Sequence, residues 1–527
     1  MGKPAMSVES DPAVAPGLRH KGGLIAAEHF VPFPEVERRA RRIATGLEAL
    51  GVGPGTCVAV LMRNDTPFLE VSYAVMRLGA YAVPLNWHFK GEEIAYILAD
   101  CGAKALFAHA DLLAGIAGHL PLDLAVFSID VPASILAAYS LPTPGPAPAR
   151  AQGYEAFICA HGEHPGPTRP APMSMIYTSG TTGAPKGVRR LAQTPEQTAV
   201  LDELRALIYG LKPGIRALLP GPLYHSAPNS FGLRAGKIAD LLVLMERFEA
   251  EDFLRIVERE AIDTVFMVPT MFIRLLKLPQ AVRERYDLSS LRHVIHAAAP
   301  CPADVKTAII QWFGPVVYEF YGGTESGPVS FATSQDALNK PGTVGRVSPG
   351  AEVRILDEAG NILPRGAVGE IFSTIEAYPD FTYHNKEALR AEVERDGFIT
   401  CGDMGYLDEE GYLFICDRRR DMVISGGVNI YPAEIEAVLH AMPGVGDCAV
   451  FGIPDAEFGE ALMAVVEPAQ GAEIEPESVR TFLAGALANY KVPRRVEIRN
   501  GLPREDSGKI FKRRLRDVYW QAAGRKI

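Results

Sequence analysis

The sequence predicts an α/β protein: a large N-terminal domain of parallel sheets flanked by helices, with a small β-barrel-like part, followed by a small α+β C-terminal unit. Three observations lead there. Short apolar runs such as 57–62 and 264–268 alternate with helix-length stretches, the pattern of βαβ units on a parallel sheet. From residue 343 the texture changes to short β-rich pieces parted by glycine and charged turns. The run Asp417-Arg-Arg-Arg-Asp421 then carries no apolar residue and marks the last domain boundary. A chain of 527 residues is too long for one ordinary core, in keeping with this division.

Residues 1–22 are polar and proline-bearing, and read as a disordered N-terminus without a targeting segment. Residues 31–51 form an amphipathic helix, with Pro34 suited to its first turn and Gly51 as its stop. A buried strand over 57–62, a helix over 66–78, a strand over 82–85, a helix over 92–100 and a strand over 105–108 follow. Residues 140–172, rich in Pro, Gly and Ala, make a surface excursion. Alternation resumes with helices at 196–209, 250–260, 270–277 and 303–313, and strands at 217–219, 264–268, 293–296 and 316–320. Beyond the β-rich pieces 343–345, 351–357 and 369–374, the last unit has helices at 432–441 and 476–488, strands at 447–452 and 461–466, and a basic tail.

A net charge of −10 argues against affinity for nucleic acid or acidic membranes over the whole surface. The seven cysteines are scattered without a Cys-x-x-Cys, which suggests neither a disulfide framework nor a zinc site and points to a reducing cytoplasm. No run of 18 apolar residues exists to span a membrane.

The chain is organised around residues 173–188. A short apolar strand there feeds a loop, 178–187, that holds three glycines, four hydroxyl residues and Lys186 in ten positions. Glycines let backbone N–H groups close on an anion, hydroxyls add donors, and lysine adds a point charge for phosphate. Pro185 before Lys186 and Gly187 after it rule out a Walker A loop. A second motif, Tyr318-Glu-Phe-Tyr-Gly-Gly-Thr-Glu-Ser-Gly327, follows a strand, where α/β sheets place ligands. Tyr321 can cover a base, Gly322 and Gly323 leave room, and Thr324 and Glu325 offer oxygens to Mg2+. Asp403, between glycines after a strand, can accept two hydrogen bonds from ribose hydroxyls. Ser425-Gly-Gly-Val-Asn-Ile-Tyr-Pro432 sets a glycine turn before a helix start, and Lys509 sits in a polar Ser-Gly loop near the end.

In this order and spacing, from about residue 30 onward, the chain resembles the superfamily of acyl-CoA synthetases, peptide-synthetase adenylation domains and luciferases, and is similar to fatty-acid and 4-coumarate CoA ligases. The resemblance implies an N-terminal adenylation domain over 23–417, a hinge at 418–421 and a mobile lid over 422–527. It implies an acid–thiol ligase that uses ATP, Mg2+ and coenzyme A to turn a carboxylic acid into acyl-AMP and then a thioester. Thr178, Ser179, Gly180, Thr181, Thr182, Gly183 and Lys186 would hold the β and γ phosphates, with Thr181 counted among the catalytic groups. Tyr321, Gly322 and Thr324 would border the nucleotide, Glu325 hold the metal, and Asp403 and Arg418 take the ribose and phosphate side. Lys509 would bridge carboxylate and α-phosphate. Rotation about Arg420, where the family usually has Asp or Lys, would withdraw Lys509 and bring the Gly426 and Gly427 face to the site for the CoA thiol. A homodimer is an assembly the resemblance allows.

For the acyl pocket the resemblance implies His225 as a gate, with Phe231, His296, Ala297, Ala298, Gly322, Gly323 and Pro328. Core histidines are the other reading of His225 and His296. The segment 224–229 lacks the aspartate that pairs with an α-amino group in amino-acid-activating relatives, and an unpaired buried ammonium is costly. Small side chains at 297–299, 322 and 323 leave volume for a medium- or long-chain, alicyclic or aromatic acid. A stand-alone enzyme loading a carrier protein is the alternative. A nucleotide sensor would lack phosphate or lysine positions that this chain has.

Overall fold

The computed structural model describes residues 20–178, 185–419, 421–425, 428–455, 458–504 and 510–522. The expected α/β architecture is present, as one parallel sheet, a large mixed sheet, a small antiparallel one and a separate C-terminal sheet. In the first parallel sheet the strands Tyr81–Pro84, Cys57–Leu61, Ala103–His109, Ala125–Ile129 and Gln152–Gly153 lie side by side. Their apolar runs are continuous because helices cover both faces. The helix Thr66–Arg77 starts where Asp65 accepts a hydrogen bond from the Thr66 N–H, and its Phe68, Leu69 and Val71 are fully buried.

The largest sheet has a parallel half, Leu241–Leu244, Arg216–Leu219, Thr264–Met267, His293–His296 and Val317–Gly323. Phe231, Phe253, Phe266 and Phe272 fill the core around it, each side chain gaining about 1.5–3 kcal/mol by burial. The β-rich pieces expected to stand beside this sheet are spliced into it. Gly327–Ala332 turns back antiparallel on Val317–Gly323, and Thr343–Val347, Tyr412–Arg418, Phe398–Leu407, Gly369–Ile375 and Ala351–Leu356 extend the ladder. This part still has its own small core of Ile355, Ile371 and Leu413.

Several elements escaped the sequence pattern, among them the strands Ala125–Ile129 and Leu241–Leu244 and, within the expected surface excursion, the helix Tyr154–Cys159, whose Tyr154, Phe157 and Ile158 are buried. A hairpin, Gly23–Ala26 with His29–Pro32, closes one edge of the large sheet against Leu241–Leu244. The helix Ser226–Ile238 was hidden by its Gly, Ser, Pro and Asn content, poor in helix formers. Of the expected disordered segment 1–22, residues 1–19 lie outside the described residues. His20 is placed, 3.1 Å from buried Glu260, and Gly22 donates from its N–H to the Asp240 carbonyl.

The large sheet ends at Arg418, and the C-terminal sheet begins with Val423–Ser425. On the long hairpin Val445–Asp455/Gly459–Pro468, Val450 and Leu462 face Ile435 and Leu439, whereas Phe451 and Met463 face Leu515. Alternation thus buries both faces of one sheet. The charged run between the sheets is not wholly solvated: Asp417 is 8% exposed and accepts from the Ala433 N–H at the start of helix Pro432–His440. Among the described residues no helix is long and apolar enough to cross a membrane, and all seven cysteines are free thiols.

Candidate active site

The phosphate-type loop is a hairpin connection. Ile176–Thr178 pairs antiparallel with Lys186–Arg190, which pairs in turn with Phe381–Tyr383. Ser179, Gly180, Thr181, Thr182 and Gly183 lie outside the described residues, but both stems are fixed. Thr178 stands opposite Lys186, the Tyr177 hydroxyl donates to Asp100 at 2.6 Å, and Lys386 donates to the Pro185 carbonyl at 3.3 Å. Lys186 is 7% exposed, and its Nζ lies 4.9 Å from the centre of the Tyr383 ring.

That tyrosine ties the loop to the second motif, since its hydroxyl donates to Glu325 Oε1 at 3.0 Å. Among the described residues Glu325 forms no ion pair, which leaves its negative charge for a cation. The turn that carries it is held by Arg190, 6% exposed on the strand after the loop. The Arg190 guanidinium donates to the carbonyls of Thr324 (2.9 Å), Glu325 and Pro379 and stacks on Tyr378 at 4.4 Å. Sequence reading missed this residue, because an arginine after a basic loop looks solvated. Its strand, Lys186-Gly-Val-Arg-Arg190, holds one apolar side chain and gives no signal of burial.

Tyr321 and Asp403 meet directly. The Tyr321 hydroxyl donates to Asp403 Oδ2 at 2.8 Å, and Arg418 Nε lies 3.2 Å from Asp403 Oδ1. Asp403 and Arg418 are register partners on neighbouring strands, so the sheet sets their separation. Burial first, then the Asp403 charge, raises the Tyr321 hydroxyl well above its ordinary value, so it stays a donor. Each carboxylate oxygen of Asp403 keeps a second lone pair for a ribose hydroxyl.

The glycines of this motif do something other than make room for an acid. A Cβ at Gly322 would lie 1.8 Å from the Gly327 carbonyl oxygen, and one at Gly323 would lie 2.5 Å from Cys401 Sγ. They permit the bulged approach of two antiparallel strands. Gly323→Ala is therefore expected to lower turnover of short and long acids alike, along with thermal stability. Adding Cys401→Ala should restore both, because the remaining contact is at 3.6 Å. A selective shift toward shorter acids would instead place Gly323 on the pocket wall.

The expected acyl set divides. His225 is half-buried at the start of helix Ser226–Ile238, with its ring 4.4 Å from that of Tyr224. Pro328 lines a narrow cleft of about 10 Å³ with Met173, Arg205, Tyr209, Ser230 and Tyr378, of which only Pro328 was expected. That is room for about one water. Phe231 is 0% exposed and packs on Phe266, on the core side of its helix; Ser230 takes the cleft side. His296 is also 0% exposed, edge-on to Phe272, and neither ring nitrogen has a hydrogen-bond partner. Burial, then the Lys306 charge, keeps it neutral, well below the usual imidazole value. It is a core histidine. Of its neighbours Ala297 is buried, while Ala298 is exposed with φ +75° at the strand's C-terminal end.

Arg420, Gly426, Gly427 and Lys509 lie outside the described residues. The chain on either side of 505–509 closes on itself, Arg504 bridging antiparallel to Ile510.

Comparison with known proteins gives matches along nearly the whole chain. The family described as AMP-binding enzyme matches residues 23–374, and the AMP-binding enzyme C-terminal domain matches 434–509. A feruloyl-CoA synthase of Amycolatopsis sp is 35% identical over 514 residues, covering 95% of this chain and 95% of that protein. The fatty acid–[acyl-carrier-protein] ligase ScoC of Streptomyces coeruleorubidus is 31% identical, covering 94% and 93%. The ATP-bound structure of MatB from Rhodopseudomonas palustris superposes with a TM-score of 0.80 at 29% identity, covering 95% of this chain and 96% of that one.

Proposed function

Because the chain belongs to the AMP-binding enzyme family, a ligase family of the adenylate-forming superfamily, we propose that it converts an apolar, preferably aromatic, carboxylic acid to its CoA thioester. The observation that carries the reading is a pair of clusters, Lys186–Tyr383–Glu325 beside the hydroxyl-rich loop and Tyr321–Asp403–Arg418 on the large sheet, with Tyr321 and Glu325 in one motif.

In the first half-reaction a carboxylate oxygen attacks the α-phosphorus of ATP, the bond to the bridging oxygen breaks, and pyrophosphate leaves. Positioning and charge stabilisation do most of the work in such a transfer. Lys186 and the loop hydroxyls bind the β and γ phosphates. Asp403, oriented by Tyr321 and Arg418, accepts from the ribose hydroxyls. Glu325, oriented by Tyr383 and lacking an ionic partner, suits a magnesium ion, which would offset phosphate charge when bound. Lys509 places its ammonium between carboxylate and α-phosphate. In the second half-reaction the CoA sulfur attacks the acyl carbon, AMP departs, and the thiol proton is lost. The lid from 422 onward turns about 418–421 between the two steps, presenting Gly426 and Gly427.

Tyr209, Tyr378, Met173 and Pro328 around the cleft favour an apolar ring or chain, and the feruloyl name of a relative points the same way. The carrier-protein reading is favoured by one observation, the similarity to ScoC. Seven free thiols suit a reducing cytoplasm. Incubation with ATP, Mg2+ and CoA across hydroxycinnamic, arylacetic and C6–C16 fatty acids, read by mass as AMP and thioester, tests the proposal. Acyl-AMP that accumulates without thioester, and that CoA does not discharge, would favour the carrier reading.

Glu325→Gln keeps the Tyr383 hydrogen bond and removes the charge. It is expected to raise KM for MgATP and slow acyl-AMP formation by about 10²-fold. Steady-state titration of MgATP checks this, and unchanged kinetics would remove Glu325 from the metal site.

A further inference from the structure

We propose that the C-terminal unit carries a zinc-type metal site formed by His440, Asp447 and Cys448, separate from the nucleotide site. His440 ends the helix Pro432–His440, and the other two residues lie on the strand Val445–Asp455 that packs against it. Neighbouring strand residues ordinarily point to opposite faces. Here the Asp447 carboxylate folds back over its own strand to the Cys448 N–H, and both side chains come near the same imidazole nitrogen. Asp447 Oδ1 is 3.6 Å from His440 Nε2, and Cys448 Sγ is 3.9 Å from it. All three ligand atoms lie within 4.8 Å of one another.

Those separations are close to the edges of a coordination tetrahedron. Bonds of about 2.0–2.3 Å to nitrogen, oxygen and sulfur put neighbouring ligands about 3.3–3.8 Å apart. A thiolate, an imidazole and a carboxylate together select zinc over magnesium or calcium, which prefer oxygen-only shells. His440 and Asp447 are 23% and 17% exposed, so metal can enter and water can fill the fourth position.

The surroundings orient this set as second partners orient metal ligands. Arg504 Nη1 holds Asp447 Oδ2 at 2.6 Å, turning Oδ1 toward the imidazole, and its Nη2 is also held by Glu467 at 3.0 Å. The Asp447 carboxylate is tied back to its own strand by the Cys448 N–H at 2.7 Å. The Cys448 thiol rests 3.7 Å from the Glu436 carbonyl, and a bound metal would replace that weak contact and take the thiol proton's place. The metal clips the end of the helix to the strand, and none of its three ligands is a residue assigned to the adenylation chemistry.

The test is a cobalt(II) titration of the tag-free, metal-stripped full chain. One equivalent should bind with a thiolate-to-cobalt charge-transfer band and tetrahedral visible bands, and zinc should abolish both while a large excess of magnesium does not. Cys448→Ser should lose the charge-transfer band, and His440→Gln should weaken cobalt at least about tenfold. Glu325→Gln should leave the spectrum unchanged. Absence of the band in the native chain, or its survival in Cys448→Ser, overturns the proposal. Should Cys448→Ser fail to fold, the partly exposed His440→Gln decides alone, and native cobalt affinity in that variant overturns the proposal.

Discussion

Lys509→Ala is expected to slow acyl-AMP formation by about 10²–10³-fold and to leave thioester formation from supplied acyl-AMP nearly untouched. The magnitude is that of removing one preorganised charge from the place where negative charge gathers in the transition state. Here the attacking carboxylate brings its negative charge up against that of the α-phosphate. The asymmetry follows from placing Lys509 on the part that turns away before the thiol arrives. Folding should not change, since the sequence Arg-Glu-Asp-Ser-Gly-Lys at 504–509 is polar and its described flanks are joined by the Arg504–Ile510 bridge. Pre-steady-state acyl-AMP formation and single-turnover thioester formation read the two halves separately. Equal loss in both, with native thermal unfolding, would contradict a moving lid.

The second large effect is expected at Arg190, whose observed contacts are all with the protein's own turn and rings. Its guanidinium satisfies the carbonyls of Thr324, Glu325 and Pro379 in a nearly closed site. Charge-assisted bonds are worth about 1.5–3 kcal/mol each, and removal leaves buried acceptors unpaired. Arg190→Met, which keeps much of the stem's packing, should therefore cost about 3 kcal/mol or more and lower the unfolding midpoint. The turn bearing Glu325 would loosen, so KM for MgATP should rise more than KM for the acid. A variant with lowered stability and an unchanged KM for MgATP would make Arg190 a purely structural residue.

Much of the fold was legible because its signals are local. Runs such as 57–61 and 264–267 are apolar on both faces, and glycine or proline punctuates the intervening helices, so the parallel sheets could be read directly. The motifs proposed for the nucleotide could be picked out for the same reason, each being contiguous in sequence. What escaped was long-range. Tyr383 joins Glu325 and Lys186 from a strand some two hundred residues beyond the loop, and no local pattern marks it. His296 and Phe231 carry side chains suited to a pocket, but strand alternation and helix phase turn them into the core. Gly322 and Gly323 were read as room for a ligand, although the space they leave is taken by Gly327 and Cys401. The continuity of the large sheet was hidden because antiparallel additions after a parallel half look like a new domain when only spacing is available.

The central claim is that the carboxylate itself attacks the α-phosphorus. Supplying an accepted acid labelled with oxygen-18 in its carboxylate, together with ATP, Mg2+ and CoA, tests it most directly. Attack at the α-phosphorus makes a carboxylate oxygen the bridge of acyl-AMP, and thiol attack at carbon then leaves that oxygen on AMP. One labelled oxygen per AMP, with unlabelled pyrophosphate, is the predicted result. Label in inorganic phosphate with ADP as co-product would mean an acyl-phosphate route and would contradict the account.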